Sequence, residues 1–363
     1  MEILRSQRSS CEVSKTRLHT IPLAFVSALL HRTPTIENAV SHSQYQKSTL
    51  ATALKTDDFA SDADLIRRAR NAPTGAFLAF DFVVVPHTGG AMQGVDYHYS
   101  SSHKKPCFSQ VYSSSALVKF KCDPTPLNLD YKVSQALQTH DYPYRTATQT
   151  MVATVLHFKN LGIHFEGALL DGEFGADDSI NFSQTHGVPV LVRAKRTLGV
   201  EFEGQGLTLE ELAIQFDHTK CHPYAEFGWR AKRLSVCRSE RVFDVLIIWR
   251  KVHGVWEVFF LISTFPRCSG MTALLRAWKA RWGIEVCHRY FKQSLGLGKC
   301  QCLDIQAQKN WAWCVLEAFH EVLQVRRRHP GLRWKYAQSL AAQIVKWCVE
   351  TAKNRYLLRR HAA

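Results

Sequence analysis

The sequence predicts an α/β protein: a mixed sheet flanked by helices, interrupted by a β-rich insertion and bounded by helical regions at both ends. Three observations carry this prediction. An apolar run, Ala76 to Val85, interrupted only by Asp81, has the length and residue types of a buried strand. Strand-like and helix-like segments alternate through the middle of the chain, and residues 195–264 hold several strand-like runs close together. With 363 residues and 46% hydrophobic content, the chain can bury a large core.

Taken in order, residues 1–70 read as helical and polar, with Leu50, Leu54, Phe59 and Leu65 at loose helical spacing. Ile21 to Leu30 (IPLAFVSALL) is an apolar run after a basic start, as in a secretory signal. It is too short to span a bilayer, and a packed helix is the expected form. Asn71 to Gly75 punctuates the chain before the strand Ala76 to Val85, which Pro86 closes. After the glycine-bearing His87 to Gly90, the runs Tyr97 to Ser102 and Ser115 to Lys121 predict two further strands in an antiparallel meander. Thr146 to Asn160 is helical, Gly167 to Leu170 is a strand ending at Asp171-Gly172, and a helix and the strand Val188 to Val192 follow. Three strands and then helix–strand–helix–strand is the order of an RNase H-like mixed sheet.

Strand-like runs at Arg233 to Val236, Val242 to Trp249 and Val255 to Ile262 mark the insertion, with a hairpin turn at Lys251 to Gly254. Thr272 is expected to cap a long helix to about Ser294, stopped by Leu295-Gly-Leu-Gly298. Residues 303–360 read as helical.

The formal charge of +15 favours a polyanionic partner, since neutralised phosphates release counterions; a merely soluble basic protein is the alternative. Residues 301–363 hold 11 Lys+Arg against 4 Asp+Glu, supplying +7, with Arg326, Arg327 and Arg328 together and Arg359-Arg360 near the end. Such a tail can reach for nucleic acid or form a solvated helix face. The 11 cysteines cannot all pair internally and fit reduced thiols. Cys300-x-Cys302 lacks a second pair at zinc-finger spacing, and Cys287-His288 and Cys221-His222 read as packing residues.

Three acids stand out. Asp81 lies inside FLAFDFVVV, where a carboxylate is costly unless it is paired, hydrogen-bonded at a strand edge or bound to metal. Asp171 ends an apolar strand before a glycine, a position that suits either a site or a turn. On the long helix, Trp278, Arg281, Glu285, Arg289 and Lys292 are spaced to share one face. That face is either a salt-bridged solvent surface or an acid set among bases. Gly283 inside the helix costs about 1 kcal/mol relative to Ala, so something other than helix propensity selects it.

Trp278-x2-Arg281-x3-Glu285-x6-Lys292 resembles the Y-x2-R-x3-E-x6-K signature of the insertion-sequence transposases grouped as the "number four" family. Leu170-Asp171-Gly-Glu-Phe174 resembles that family's second-aspartate strand end. Asp81-x4-Pro86, Met92-x-Gly-Val95 and Tyr97-x-Tyr-Ser100 resemble the region of its first. The resemblance covers about residues 70–300 and includes the β-rich insertion. Two positions depart from the pattern: Trp278 stands for the family's tyrosine, and Phe82 follows the first aspartate where an acid or threonine is usual.

The resemblance implies a DDE transposase that cleaves DNA at transposon ends and transfers the freed 3′-OH into target DNA. Asp81, Asp171 and Glu285 would hold two Mg²⁺ ions, for which Mn²⁺ can substitute. Arg281, Arg289 and Lys292, with Trp278, would grip phosphates beside the scissile bond. The implied partners are terminal inverted repeats, target DNA and a second copy in a synaptic homodimer, with no membrane, in the bacterial cytoplasm or nucleoid. The corresponding division is a DNA-binding region at 1–70, a catalytic domain at 71–194 and 265–300, the insertion at 195–264, and a basic C-terminal region at 301–363. Trp229 and Trp249 could stack an extruded base, core packing being the stronger reading. A non-transposing nuclease on the same fold and a catalytically decayed DNA-binding protein are the alternatives.

Overall fold

A computed structural model describes residues 20–43, 45–87, 91–100 and 104–361, with side chains up to residue 351. Four helices come first: α1 (Thr20–Leu30), α2 (Ile36–Ser41), α3 (Lys47–Thr56) and α4 (Asp62–Ala69). The strands β1 (Phe77–Pro86), β2 (Asp96–Ser100), β3 (Lys105–Val118) and β4 (Thr125–Lys132) follow. Next come α5 (Ala147–Asn160), β5 (Ala168–Leu170), α6 (Ala176–His186) and β6 (Val190–Ala194).

β1 organises the sheet because it is paired on both sides and buried on both faces. It runs antiparallel to β3, from Phe77↔Val118 to Pro86↔Ser109, and parallel to β5, from Leu78↔Ala168 to Phe80↔Leu170. Its side chains alternate with the pleat. Leu78 and Phe80 enter a core with Met151, Val155 and Phe158 of α5 and Ile180 of α6. Ala79, Val83 and Val85 enter the opposite core. β5 is in turn parallel to β6, and β3 also pairs antiparallel with β4, giving the order β4-β3-β1-β5-β6.

The meander differs from expectation. β3 starts ten residues before Ser115, and β4 was not foreseen. β3 reads as polar, yet Ser113, Ser114 and Ser115 are buried, two of them bonded to β4: Ser113 donates to the Asp130 carbonyl and Ser115 to Asn128 Oδ1. β4 contains Pro126, tolerated because it faces Ala116 where the register shifts. Ser101 and Ser102, expected at the end of β2, and residues 88–90 of the glycine-bearing loop lie outside the described residues.

The insertion continues the same sheet. β7 (Gly199–Phe202), β8 (Gln205–Thr208), β9 (His222–Tyr224), β10 (Trp229–Arg238), β11 (Arg241–Val252) and β12 (Val255–Ser263), with helix α7 (Leu209–Ile214), extend it through the β12–β6 pairing. The result is a twelve-stranded, mostly antiparallel sheet among the described residues. Val252↔Val255 closes a two-residue hairpin at His253 and Gly254, both with positive φ (49° and 86°), as the twist of a tight hairpin requires.

Helix α8 (Met271–Gln293) crosses β1, β3 and β5 on the Ala79 face. Its N-cap is Gly270, and Thr272, the expected cap, lies in the first turn. Gly283 now has its reason. A Cβ there would lie 3.0 Å from Val118 Cγ1 and 3.2 Å from Pro124 Cβ, so glycine lets the helix settle on β3.

Helices α9 (Ile305–Arg328) and α10 (Trp334–His361) complete the fold. α1, buried from Leu23 to Leu30, packs on both, so the first and last described helices share one layer. Two of the three clustered arginines serve this layer rather than open surface. Arg326 binds Asp123 through Nε and Nη2 at 2.7 and 3.0 Å, and Arg327 donates to Thr125 Oγ1 at 3.0 Å. The side chains of Arg359 and Arg360 lie outside the description.

The deepest polar contact joins α4 to α9. Arg68 donates to Glu317 Oε1 at 2.9 and 2.6 Å and to the Leu127 carbonyl at 2.8 Å; Arg67 reaches the same carboxylate oxygen at 2.7 Å. Burial alone would raise the Glu317 carboxyl, but Arg68 and Arg67 hold it down to about 2. Its stabilising contribution is therefore complete above the unfolded value of 4.5 and is lost as pH falls through about 2. Arg68→Met should cost about 3–5 kcal/mol at neutral pH, because it strips a partner from a buried charge. Urea unfolding measures this, and a loss below about 1 kcal/mol would show that the contact does not carry the layer.

Candidate metal centre and nucleic-acid interface

Asp81 follows Phe80, the last β1 residue paired with β5. The pleat puts it on the Ala79 face, beneath α8. Asp171 follows Leu170, the partner of Phe80, and remains extended (φ −82°, ψ 171°). The two aspartates therefore continue neighbouring parallel strands in register, on one face and toward the strands' carboxyl ends. Gly172 then turns the chain away.

Glu285 projects from α8 onto this face. Ligand atoms of Asp81, Glu285 and His288 all lie within 4.8 Å of one another. Asp171 lies outside that group, although its strand end is adjacent. Desolvation pushes the Asp81 carboxyl up to about 7, and the negative charges of Glu285 and Glu173 add to the shift; its contact with the Phe82 amide, at 2.8 Å, opposes it. Asp81 thus lies close to a second carboxylate without enough positive charge of its own. A divalent cation bound by hard oxygen ligands fits this deficit.

Arg281 is the nearest cation. It is 9% exposed, sits 3.7 Å from Glu285 and stacks over the Trp278 ring at 5.0 Å. The helical stripe is accordingly rotated from the one expected. Arg281 turns inward, and Trp278 is partly buried against the core. Trp282, not singled out in the sequence, is 54% exposed, and Arg289 and Lys292 are exposed beyond Glu285. A spacing of 3.6 residues fixes a helical arc but not its edges, so neighbours such as 281 and 282 are separated only by what packs against them.

Phe82 points to the opposite face, where it stacks on Phe174 at 5.9 Å, with Lys132 Nζ 4.9 Å from its ring. This departure from the family pattern lies away from the carboxylates. Trp229 and Trp249 are 8% and 7% exposed and belong to the two cores, so base stacking by either is not available.

Sequence reasoning missed three features. Glu173 stands beside Asp171; the surrounding protein and Asp171 push its carboxyl up, while Lys132 pulls it down. His288 was assigned to packing, although its i+3 spacing from Glu285 was a usable signal. The third is a basic cleft beside Gly172 and Glu173, walled by Arg193, Lys195 and Thr197, all exposed. Arg193-Ala-Lys-Arg196 at the end of β6 was its visible mark.

No family model matches this chain. No curated protein matches it in sequence. Among solved structures it resembles the cryo-EM structure of a piggyBac transposase synaptic complex with hairpin DNA, with a TM-score of 0.50 and 10% identity over 98% of this chain and 79% of that one. The class so defined is an α/β protein of transposase-like fold, with a twelve-stranded sheet between helices. No helix among the described residues is long and apolar enough to cross a membrane.

The packing of Trp278 makes a direct prediction. Trp278→Ala should lose about 1–3 kcal/mol, below the cost for a fully buried tryptophan, and release Arg281 from its stacked position. Trp278→Tyr should melt close to the parent. Thermal unfolding compares them; an unchanged melt for the alanine variant would place the side chain in solvent.

Proposed function

We propose that the chain is a DNA transposase of the DDE type, as its helix motif implies, using Asp81, Asp171 and Glu285 to cleave phosphodiester bonds and join DNA strands. The observation that carries this reading is the pair Asp81–Glu285: a largely buried aspartate and a second carboxylate meeting on one face of a sheet in a transposase-like fold. The order β4-β3-β1-β5-β6, with β1, β5 and β6 parallel, supports an RNase H-like catalytic core.

Asp81 and Glu285 would hold divalent cations, Mg²⁺ or Mn²⁺, with Asp171 completing the set from the adjacent strand end. Bound there, such ions activate the attacking oxygen and stabilise charge on the leaving one. Arg281 keeps Glu285 oriented. Arg289 and Lys292 on one side, and Arg193 and Lys195 on the other, bind phosphates flanking the scissile bond and fix its register. Water is the first nucleophile; the freed 3′-OH is the second, attacking the opposite strand or target DNA. Two copies would act on two ends in a synaptic complex. Hydrolysis without strand transfer would instead make the chain a nuclease.

On DNA carrying the ends that flank the reading frame, Asp81→Asn, Asp171→Asn and Glu285→Gln should each lower Mg²⁺-dependent cleavage at least about a hundredfold, as loss of transition-state charge stabilisation does. DNA affinity should remain near the parent's. A parent chain that binds these ends but never cuts them would make it a DNA-binding protein only, and normal cutting by a variant would remove that residue from the centre. In a second test, Arg193→Ala with Lys195→Ala should reduce the slope of log affinity against log salt by about 2, roughly one unit per phosphate contact. An unchanged slope would place the DNA elsewhere.

A further inference from the structure

We infer that His288 is a ligand of the first metal ion, so that Asp81, Glu285 and His288 form a mixed carboxylate–imidazole site preferring Mn²⁺ and related first-row cations over Mg²⁺. The inference rests on the proposed metal centre and concerns which of the chain's own atoms define it. A ring nitrogen of His288 lies within 4.8 Å of a carboxylate oxygen of both Asp81 and Glu285. The residue is 5% exposed, and its Nε2 has no hydrogen-bond partner. A buried, unpartnered polar atom is costly, and a core histidine would normally satisfy it with a carbonyl or hydroxyl. His320, 2% exposed, also has one ring nitrogen, Nδ1, without a partner while its Nε2 bonds the Pro126 carbonyl at 2.7 Å, so what sets His288 apart is the pair of carboxylates within reach of its ring.

Helix geometry supports the assignment. Residues three apart on α8 project from successive turns of one face, so Glu285 and His288 can grip one ion together. An imidazole nitrogen binds a metal through its lone pair, so the donor here is the neutral ring. Arg281 and Lys292 work against a cation; the carboxylates of Asp81 and Glu285 outweigh them at the ligand positions. Asp171, set apart from this group, is left to the second ion or to bound water. A nitrogen donor is poorly suited to Mg²⁺, which keeps oxygen ligands, and suits Mn²⁺, Co²⁺ or Zn²⁺ better.

The test is metal binding by the full chain without DNA. Free Mn²⁺ is followed by electron paramagnetic resonance, with Mg²⁺ as competitor. The parent should bind Mn²⁺ more tightly than Mg²⁺ by about tenfold or more. His288→Phe, which keeps the ring's bulk and removes the nitrogen, should weaken Mn²⁺ by about 10–100-fold, leave Mg²⁺ far less changed and melt within a few degrees of the parent. His288→Gln is the second variant, should phenylalanine disturb the core. Unchanged Mn²⁺ and Mg²⁺ affinities in a folded variant would make His288 a core residue and overturn the inference, with the carboxylate centre intact. Mn²⁺ binding in the parent that Asp81→Asn does not weaken would overturn the metal centre itself.

Discussion

A carboxylate held in the middle of an apolar strand is the constraint on which the rest of this structure depends. Asp81 is paired to β3, one residue past the last β1 pair with β5, and lies beneath a helix, where water is scarce and a second carboxylate is close. The period of two along β1 places it there, since any residue that buries Phe80 toward one core turns Asp81 toward the other. Helix α8 must then lie close enough to bring Glu285 down to the strand. Gly283 permits that approach, at a cost in helix propensity that packing on Val118 and Pro124 offsets.

Two acidic clusters among the described residues are compensated differently. At Glu317, two arginines converge on one buried carboxylate and hold it ionised, which is the arrangement of a structural joint. At Asp81 and Glu285, a single arginine stands 3.7 Å from one of the carboxylates, and Asp81 is driven toward its neutral form. Glu321, beside Glu317, is likewise pushed up to about 7 by burial and by Glu317, so what distinguishes the second arrangement is that its carboxylates and His288 converge on one point. The imbalance is what a bound cation would correct.

Basic residues divide along the same line. Arg326 and Arg327 contribute to the net charge yet are tied to Asp123 and Thr125, so they attach α9 to the loop before β4. Arg193, Lys195, Arg289 and Lys292 are exposed near the carboxylates, at the carboxyl ends of the parallel strands or along α8. Net charge alone does not say where a polyanion could lie; the positions of the exposed cations do.

The sequence by itself determined the strand that carries Asp81, the strand end that carries Asp171, the helix that carries Glu285 and the β-rich stretch between them. Each is written in local periodicity and in polar residues set against it, which short-range sterics and burial enforce. It did not determine β3 and β4 in full, because buried serines and a strand proline look like loop until cross-strand partners satisfy them. Tertiary structure decided that Arg281 turns inward while Trp282 faces solvent, that the first and last described helices form one layer, and that His288 lies beside the carboxylates. These are contacts between segments far apart in the chain, and their energies come from packing, which no local pattern encodes.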